Sequence, residues 1–126
     1  TSGGFTDNDL LASTEGYVSD NEMILASTRD NSNDTPTNLR KGLVLAEVKS
    51  GPDAGKYAEF DPNASDGRQL SQDVVILFDD VYNIDEADGA KSVPVVKAGH
   101  VKEKELVNGA NVDWSQCQRL VLRDGQ

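Results

Sequence analysis

Two segments rich in glycine and aspartate contain residue types that bind phosphate or metal ions in other proteins. Residues 51–56 resemble a phosphate-binding loop, but three residues separate the glycines where that motif needs four, and Tyr57 replaces its Ser or Thr. Residues 61–67 offer oxygen ligands at the first, third and fifth places of a calcium loop. The glycine stands one place too late, and Gln72 occupies the place of the bidentate Glu. We predict turns at both segments, with Asx turns in the second and a weak surface cation site as its alternative.

Few side chains in the chain could transfer protons, attack a carbonyl or hold a metal ion. The single histidine, His100, and the single cysteine, Cys117, do not make up the set of ligands that a zinc site usually needs. Asp79 and Asp80 are adjacent carboxylates suited to acid–base work, yet such a pair more often closes a strand and faces solvent. We predict no catalytic residues, no metal site and no cofactor. The enzymatic alternative is a small hydrolase that uses Asp79, Asp80 or His100.

The charge of the chain disfavours two classes of partner. The 126 residues include 22 acids and 12 bases, for a net charge of −10. Nucleic-acid binding depends on Lys and Arg displacing counterions from phosphates, and the same sign of charge is repelled by anionic membranes. The sequence also has no apolar run long enough to cross a bilayer and no secretory leader. We therefore expect synthesis in a cytoplasm and no nucleic-acid or membrane partner.

Composition divides the chain near residue 38. Residues 1–38 contain seven acids and one base, a net charge of −6, whereas residues 39–126 contain fifteen acids and eleven bases, a net charge of −4. High charge with sparse apolar residues cannot offset the entropy lost on ordering a chain. We predict a flexible N-terminal arm over residues 1–38, disordered alone over residues 1–20 and with a candidate strand at 23–27, followed by a β-rich domain over residues 39–126.

The body of the chain contains short apolar runs separated by turn residues, which predicts a mainly β fold. The apolar run of residues 74–78 is too continuous to face water on one side, so it should be central. Pro94 argues that its strand is an edge strand or is bent. The expected strands are residues 43–48, 56–60, 73–81 and 92–98, with strand or turn at 100–106.

One helix is predicted near the C-terminus. Asp113 is a suitable N-cap for residues 114–122, because its carboxylate can accept the free N–H groups of a first helical turn. Within that segment four residues share one helical face, namely Trp114, Cys117, Leu120 and Val121. The predicted fold class is a small β barrel or bent ribbon with a short C-terminal helix and an extended N-terminal arm.

Taken in order, segments of the body resemble the lambda-type head decoration protein D family of bacteriophages. They are LRKGLVL at residues 39–45, GKY at 55–57, FDPNASDG at 60–67, the apolar strand ending in acids at 75–81, and residues 93–106. The ordered set, rather than any one motif, carries the likeness, which covers residues 39–122.

The resemblance implies a β-clip-like fold and a homotrimer. It implies a cement protein that binds the outside of the expanded capsid at local three-fold positions and stabilises it against internal DNA pressure. Its partners would be the major capsid protein and further copies of itself. It would be made in the host bacterial cytoplasm and would reside on the outer capsid surface of the virion, with an N-terminal arm that becomes ordered on binding.

The arm contains spaced apolar residues that could anchor it to a capsid subunit. We predict that residues 1–20 add to the edge of a capsid subunit as an extended strand, with main-chain hydrogen bonds and alternate side chains in pockets. The candidate capsid-binding residues are Phe5, Leu10, Leu11, Tyr17 and Val18. The alternative from another class is a monomeric acidic adaptor or inhibitor domain that binds a cellular protein.

Overall fold

The computed structural model describes residues 18–72, 74–84, 89–102, 105–107, 112–117 and 119–123. These residues form a mainly β structure, as the sequence predicts. In chain order the elements are β1 (Val18–Ile24), β2 (Val44–Glu47), β3 (Tyr57–Glu59), β4 (Val75–Leu77), β5 (Lys91–Lys102), a 3-10 helix (Trp114–Gln116) and β6 (Leu120–Arg123).

Five of the strands close into a barrel in the order β1, β3, β2, β4, β5, because β1 also pairs with β5. The neighbours are antiparallel, except that β1 meets β3 in parallel where Ile24 lies opposite Tyr57. The last strand, β6, lies outside the closed ring and runs parallel to residues 99–102 of β5. Of the two predicted forms, a barrel or a bent ribbon, the structure is the barrel.

The barrel interior is filled by side chains from all five strands. This cluster is almost completely buried and extends into the loops at the barrel ends, where Leu39, Val81 and Ile84 join it. Side chains alternate between the two faces of a strand, so the interior takes every second residue. The contributions from the strands are Ile24, Leu45, Tyr57, Val75, Leu77, Val93 and Val95.

A second apolar cluster lies on the outer face of β2, β4 and β5. Alternate residues of these strands contribute to it, namely Val44, Ala46, Ile76, Val96 and Val101. Val112, Cys117 and Leu120 from the C-terminal part of the chain pack against them. Both faces of β4 are therefore buried, and residues 74–77 are fully inaccessible to solvent. The predicted central position of the run at 74–78 is confirmed.

The predicted C-terminal helix over residues 114–122 is wrong. The structure has one turn of 3-10 helix, Trp114–Gln116, and Cys117 already has an extended backbone. Asp113 is the N-cap, as predicted, and its Oδ1 accepts the N–H of Ser115 at 3.2 Å. The local signal for a cap was therefore correct, whereas the predicted length of the helix was not.

Strand pairing explains why the helix does not continue. Residues 120–123 lie beside residues 99–102 of β5, which provides the main-chain hydrogen bonds that a helix would make within itself. Leu120 is buried and Val121 is 40% exposed. This two-residue alternation is that of a strand, and it separates two side chains that the helical prediction had placed on one face.

Pro94 lies in β5, a strand with neighbours on both sides. Of the two predicted alternatives, an edge strand or a bent strand, the edge strand is therefore wrong. The carbonyl of Pro94 accepts the N–H of Phe78 at 3.0 Å. In a strand, the N–H and C=O of one residue point to the same side. The N–H that proline lacks would therefore have pointed at Phe78, which lies one residue beyond the end of β4. The proline therefore costs the ladder no hydrogen bond within β4.

The predicted turns at residues 51–56 and 61–67 are present. In the first, the N–H of Gly55 donates to the carbonyl of Val48 at 2.8 Å, which closes the connection between β2 and β3. In the second, Asp61 Oδ1 accepts the N–H of Asn63 at 2.9 Å, an Asx turn. Asp66 is paired with Arg68 at 3.2 Å, so both acidic groups of this segment have partners within the protein.

Candidate functional site

One of the five predicted capsid-binding residues lies in the described part of the chain. Val18 is the first residue of β1, lies opposite Ala98 of β5 and is 51% exposed. The other four, Phe5, Leu10, Leu11 and Tyr17, lie outside the described residues, as does most of the predicted arm. The structure therefore fixes where the N-terminal segment joins the barrel, at the first residue of β1.

The first strand is longer and begins earlier than the candidate strand at 23–27. β1 spans Val18–Ile24, and its last residue, Ile24, is fully buried in the barrel interior. Residues after it are also packed into the body, since Thr28 and Asp30 are buried. Residues 18–24 thus form one strand of the barrel in this structure. Most of the segment predicted to be disordered, residues 1–20, lies outside the described residues.

A lysine in a bulge of β5 forms an ion pair with β1. Val18 lies opposite Ala98 and Ser19 opposite Val96, so Lys97 is the extra residue of the bulge. The Lys97 ammonium contacts the Glu22 carboxylate and lies 3.5 Å from Asp20. The hydrogen bond to Glu22 raises the pKa of Lys97, against the opposing effect of burial. The bulge therefore places one cation between two carboxylates of β1.

β1 has one paired edge and one mostly open edge. It pairs along all seven residues with β5, but it meets β3 only at Ile24. Among the described residues, residues 18–23 therefore have no strand neighbour on their second edge, and most of their side chains are exposed. An open edge of this kind presents main-chain donors and acceptors to a further strand.

A buried carboxylate fixes the long connection between β1 and β2. Asp30 accepts two hydrogen bonds from the Arg40 guanidinium, from Nε at 2.7 Å and from Nη2 at 2.9 Å, and a third from the hydroxyl of Ser32 at 3.2 Å. Burial acts to raise the pKa of Asp30, but the hydrogen bonds and charge of Arg40 outweigh it, so the pKa is lowered. This bidentate pair joins two parts of the connection that are ten residues apart in the chain.

The residues that could have supported catalysis are not brought together. Asp79 and Asp80 follow β4 and are exposed, which confirms their predicted position at a strand end facing solvent. His100 lies in β5, and Cys117 is buried in the outer apolar cluster. Across the described ranges, no three His, Cys, Asp or Glu side chains form a group that could hold a metal ion.

Sequence reasoning missed one exposed aromatic residue. Tyr82 is 65% exposed, the most exposed large hydrophobic side chain among the described residues. It stands between two buried residues, Val81 and Ile84, in the loop that follows β4. The signal in the sequence was an aromatic residue two places after a pair of aspartates that follows an apolar strand.

No helix within the described segments is long and apolar enough to span a membrane. No individual curated protein is similar enough to the chain to count as a match. The family model of the bacteriophage lambda head decoration protein D matches residues 2–121 of the 126 residues. The match covers β1 and nearly all of the predicted arm as well as the barrel. The chain therefore belongs to the bacteriophage lambda head decoration protein D family.

Proposed function

We propose that this protein is a capsid cement protein that binds the exterior of the expanded phage head as a homotrimer and stabilises it against internal DNA pressure. The observation that carries the proposal is the match of residues 2–121 to the head decoration family. That family is a structural one, and its members decorate the phage head. Partners are then the major capsid protein and two further copies of the chain, and the location is the outer surface of the virion.

The position of β1 supports a capsid-binding role for the N-terminal segment. Residues 1–17 precede the exposed end of β1, where Lys97 fixes the strand to the barrel. Fully extended, seventeen residues span at most about 60 Å. A segment tied to a rigid barrel at one end can reach a neighbouring subunit and add to it as a strand. Its apolar anchors would be Phe5, Leu10, Leu11, Tyr17 and Val18.

The homotrimer and the β-clip-like character of the fold are carried over from the family, and the trimer has a physical rationale. Ordering an acidic, polar segment costs conformational entropy, so a single arm binds weakly. Three arms on one assembly act together, and effective concentration raises avidity by about 10²–10⁴. A ring of three needs head-to-tail interfaces that close on themselves.

The test is removal of residues 1–17 from the chain. All six strands lie beyond this segment, so the truncated protein should fold and form the same oligomer as the full chain. Its binding to purified, empty, expanded heads, measured by co-sedimentation, should fall by about 10²-fold or more, because the arms supply the avidity. Analytical ultracentrifugation of both proteins checks the oligomer.

A matched full-length variant shows whether a loss of binding is due to the apolar side chains or to the change in chain length and charge. Phe5, Leu10, Leu11 and Tyr17 are replaced together by Ser, which leaves the net charge unchanged, and this variant should lose binding as the truncation does. Undiminished binding by the truncated protein would reject the arm as the capsid contact. A full-length chain that is monomeric and has no affinity for heads would instead favour an acidic adaptor or inhibitor domain.

A further inference from the structure

The loop that carries Tyr82, residues 78–84, is held rigidly at one end of the barrel. Val81 and Leu39 exchange two main-chain hydrogen bonds, of 2.7 and 2.9 Å, and the N–H of Ile84 donates to the carbonyl of Thr37 at 3.0 Å. Val81 and Ile84 are both buried. The loop thus pairs with residues 37–39 on both sides of Tyr82, so the aromatic side chain is exposed on a fixed backbone.

The residue after Tyr82 has an unusual backbone conformation. Asn83 has a φ of 56°, the one positive value among the described residues other than glycine, and its N–H donates to Asn38 Oδ1 at 2.9 Å. Asparagine tolerates this left-handed region better than most residues. The turn orients the chain so that Ile84 returns to the core while the ring of Tyr82 stays in solvent. An exposed aromatic ring on an ordered backbone binds a partner at a low cost in entropy.

Two carboxylates precede the ring in the chain, and one of them contacts it. Asp80 Oδ1 accepts the main-chain N–H of Lys41 at 2.8 Å, and its Oδ2 lies 3.4 Å from the Tyr82 hydroxyl. Asp79 Oδ1 accepts the N–H of Asp80 at 2.9 Å. Within the described part of the chain neither carboxylate is ion-paired with a Lys or Arg, in contrast to Asp20, Glu22, Asp30, Glu47, Glu59 and Asp66.

An exposed aromatic ring in contact with a carboxylate that lacks a cationic partner, with a second such carboxylate next to it in the chain, favours a positively charged group. Arg and Lys stack on tyrosine rings through the ring quadrupole, and a carboxylate next to the ring adds a charge-assisted hydrogen bond. A second copy of this chain has 22 acids against 12 bases, so a more basic protein is the better match in charge. The chemistry therefore favours a basic segment of a different protein.

We infer that Tyr82, with Asp79 and Asp80, is a docking point for an arginine- or lysine-bearing segment of the major capsid protein. This inference rests on the proposed function, because it takes the capsid as the partner. It adds a contact on the barrel itself, separate from residues 1–17. The arm would supply reach and avidity, and the Tyr82 loop would supply a rigid, charge-selective contact.

The experiment measures the affinity of full-length variants for purified, empty, expanded heads by quantitative co-sedimentation. Tyr82→Ala should weaken binding by about tenfold or more, as truncation of an aromatic hot spot does. Tyr82→Phe keeps the ring and should bind nearly as well as the unaltered protein. Val121→Ala, which removes exposed apolar surface on β6, is the matched control and should leave binding unchanged.

The carboxylates are tested by Asp79→Asn with Asp80→Asn, because Asn keeps an acceptor oxygen for the two main-chain hydrogen bonds. This double variant should bind less tightly at low salt and differ little from the unaltered protein at high salt, where the charges are screened. Unchanged melting temperatures for the Tyr82 variants would show that the fold is intact, as expected for a side chain that is 65% exposed.

The outcomes separate this inference from the proposed function. If the unaltered protein binds heads and Tyr82→Ala binds equally well, the docking point is refuted and the proposed function stands. If Tyr82→Ala loses binding because its trimers dissociate in analytical ultracentrifugation, the loop is a contact between copies and the inference is wrong. If the unaltered protein does not bind heads at all, both proposals fail.

Discussion

At the residue scale, the Asp30–Arg40 pair is the interaction with the clearest energetic consequence. The Asp30 side chain is fully inaccessible to solvent, whereas that of Arg40 is 43% exposed. Removing one partner of a buried pair leaves a charge without compensation, but solvent reaches the guanidinium and moderates the loss. The pair lies within the connection of nearly twenty residues between β1 and β2. Loss of the pair should therefore lower the stability of the whole barrel.

Replacing Asp30 by Asn should lower the free energy of unfolding by about 2–4 kcal/mol at neutral pH. The pKa of Asp30 is lowered in the folded state, so its contribution is fully present above the unfolded value of about 3.9 and is lost as pH falls through the folded value. The Asn variant should therefore lose less stability on acidification than the unaltered protein does. Urea denaturation over a pH series measures both effects.

Asp53→Asn is the control for that prediction, because Asp53 is an exposed acid in the turn at residues 51–56. Its removal should change stability by less than about 0.5 kcal/mol. Equal stability of the Asp30→Asn and Asp53→Asn variants at neutral pH would contradict the role given to the buried pair.

Residue-scale features were predictable where they depend on neighbours in the sequence. The Asx turn at Asp61 and the cap at Asp113 involve atoms two residues apart, and residue type alone indicates them. The Asp30–Arg40 pair joins residues ten apart, and the anchoring of the Tyr82 loop joins residues more than forty apart. No local pattern encodes those contacts, because the fold has to bring the segments together first.

At the scale of elements, substitutions in β1 test whether this strand is an essential part of the barrel. Ile24 is fully buried, yet Met23, its neighbour in the same strand, is 41% exposed. Ile24→Ala should lower the free energy of unfolding by about 2–4 kcal/mol, the usual cost of a large-to-small change in a core. Met23→Ala should cost less than about 0.5 kcal/mol. Thermal and urea denaturation of the pair measure the difference.

The comparison bears on the predicted division of the chain at residue 38. If β1 closes the barrel, the two variants must differ, because only Ile24 fills the interior. Two variants of equal stability would mean that the strand is dispensable to the barrel and belongs functionally to the arm. The result therefore also decides how far an N-terminal truncation can extend without loss of the fold.

The sequence predicted the type of an element correctly where its apolar content and its flanking turn residues both indicated a strand. The apolar run around β4 and the turn-bounded strands β2 and β3 follow from composition and spacing. The segment from Trp114 to Leu122 fits a helical face, but its last residues pair with β5 as part of a strand. Strand order, barrel closure and the bulge at Lys97 depend on pairing between distant segments, which one sequence does not specify.

At the scale of the whole molecule, charge and architecture have separate roles. Among the described residues, β6 and most of β1 have a main-chain edge with no strand beside it. The net charge of −10 favours a partner with basic groups. A protein of this kind suits attachment to a larger surface, where many weak contacts are made by several copies together.

The measurement that tests the account most directly is cryo-electron microscopy of empty, expanded heads incubated with the full-length protein. We predict three-lobed density on the outer surface at local three-fold positions, with the barrel fitting each lobe and ordered density leading from Val18 onto a neighbouring capsid subunit. Heads that remain bare at saturating protein, or protein found on the inner surface alone, would contradict the assignment of this chain as a capsid cement protein.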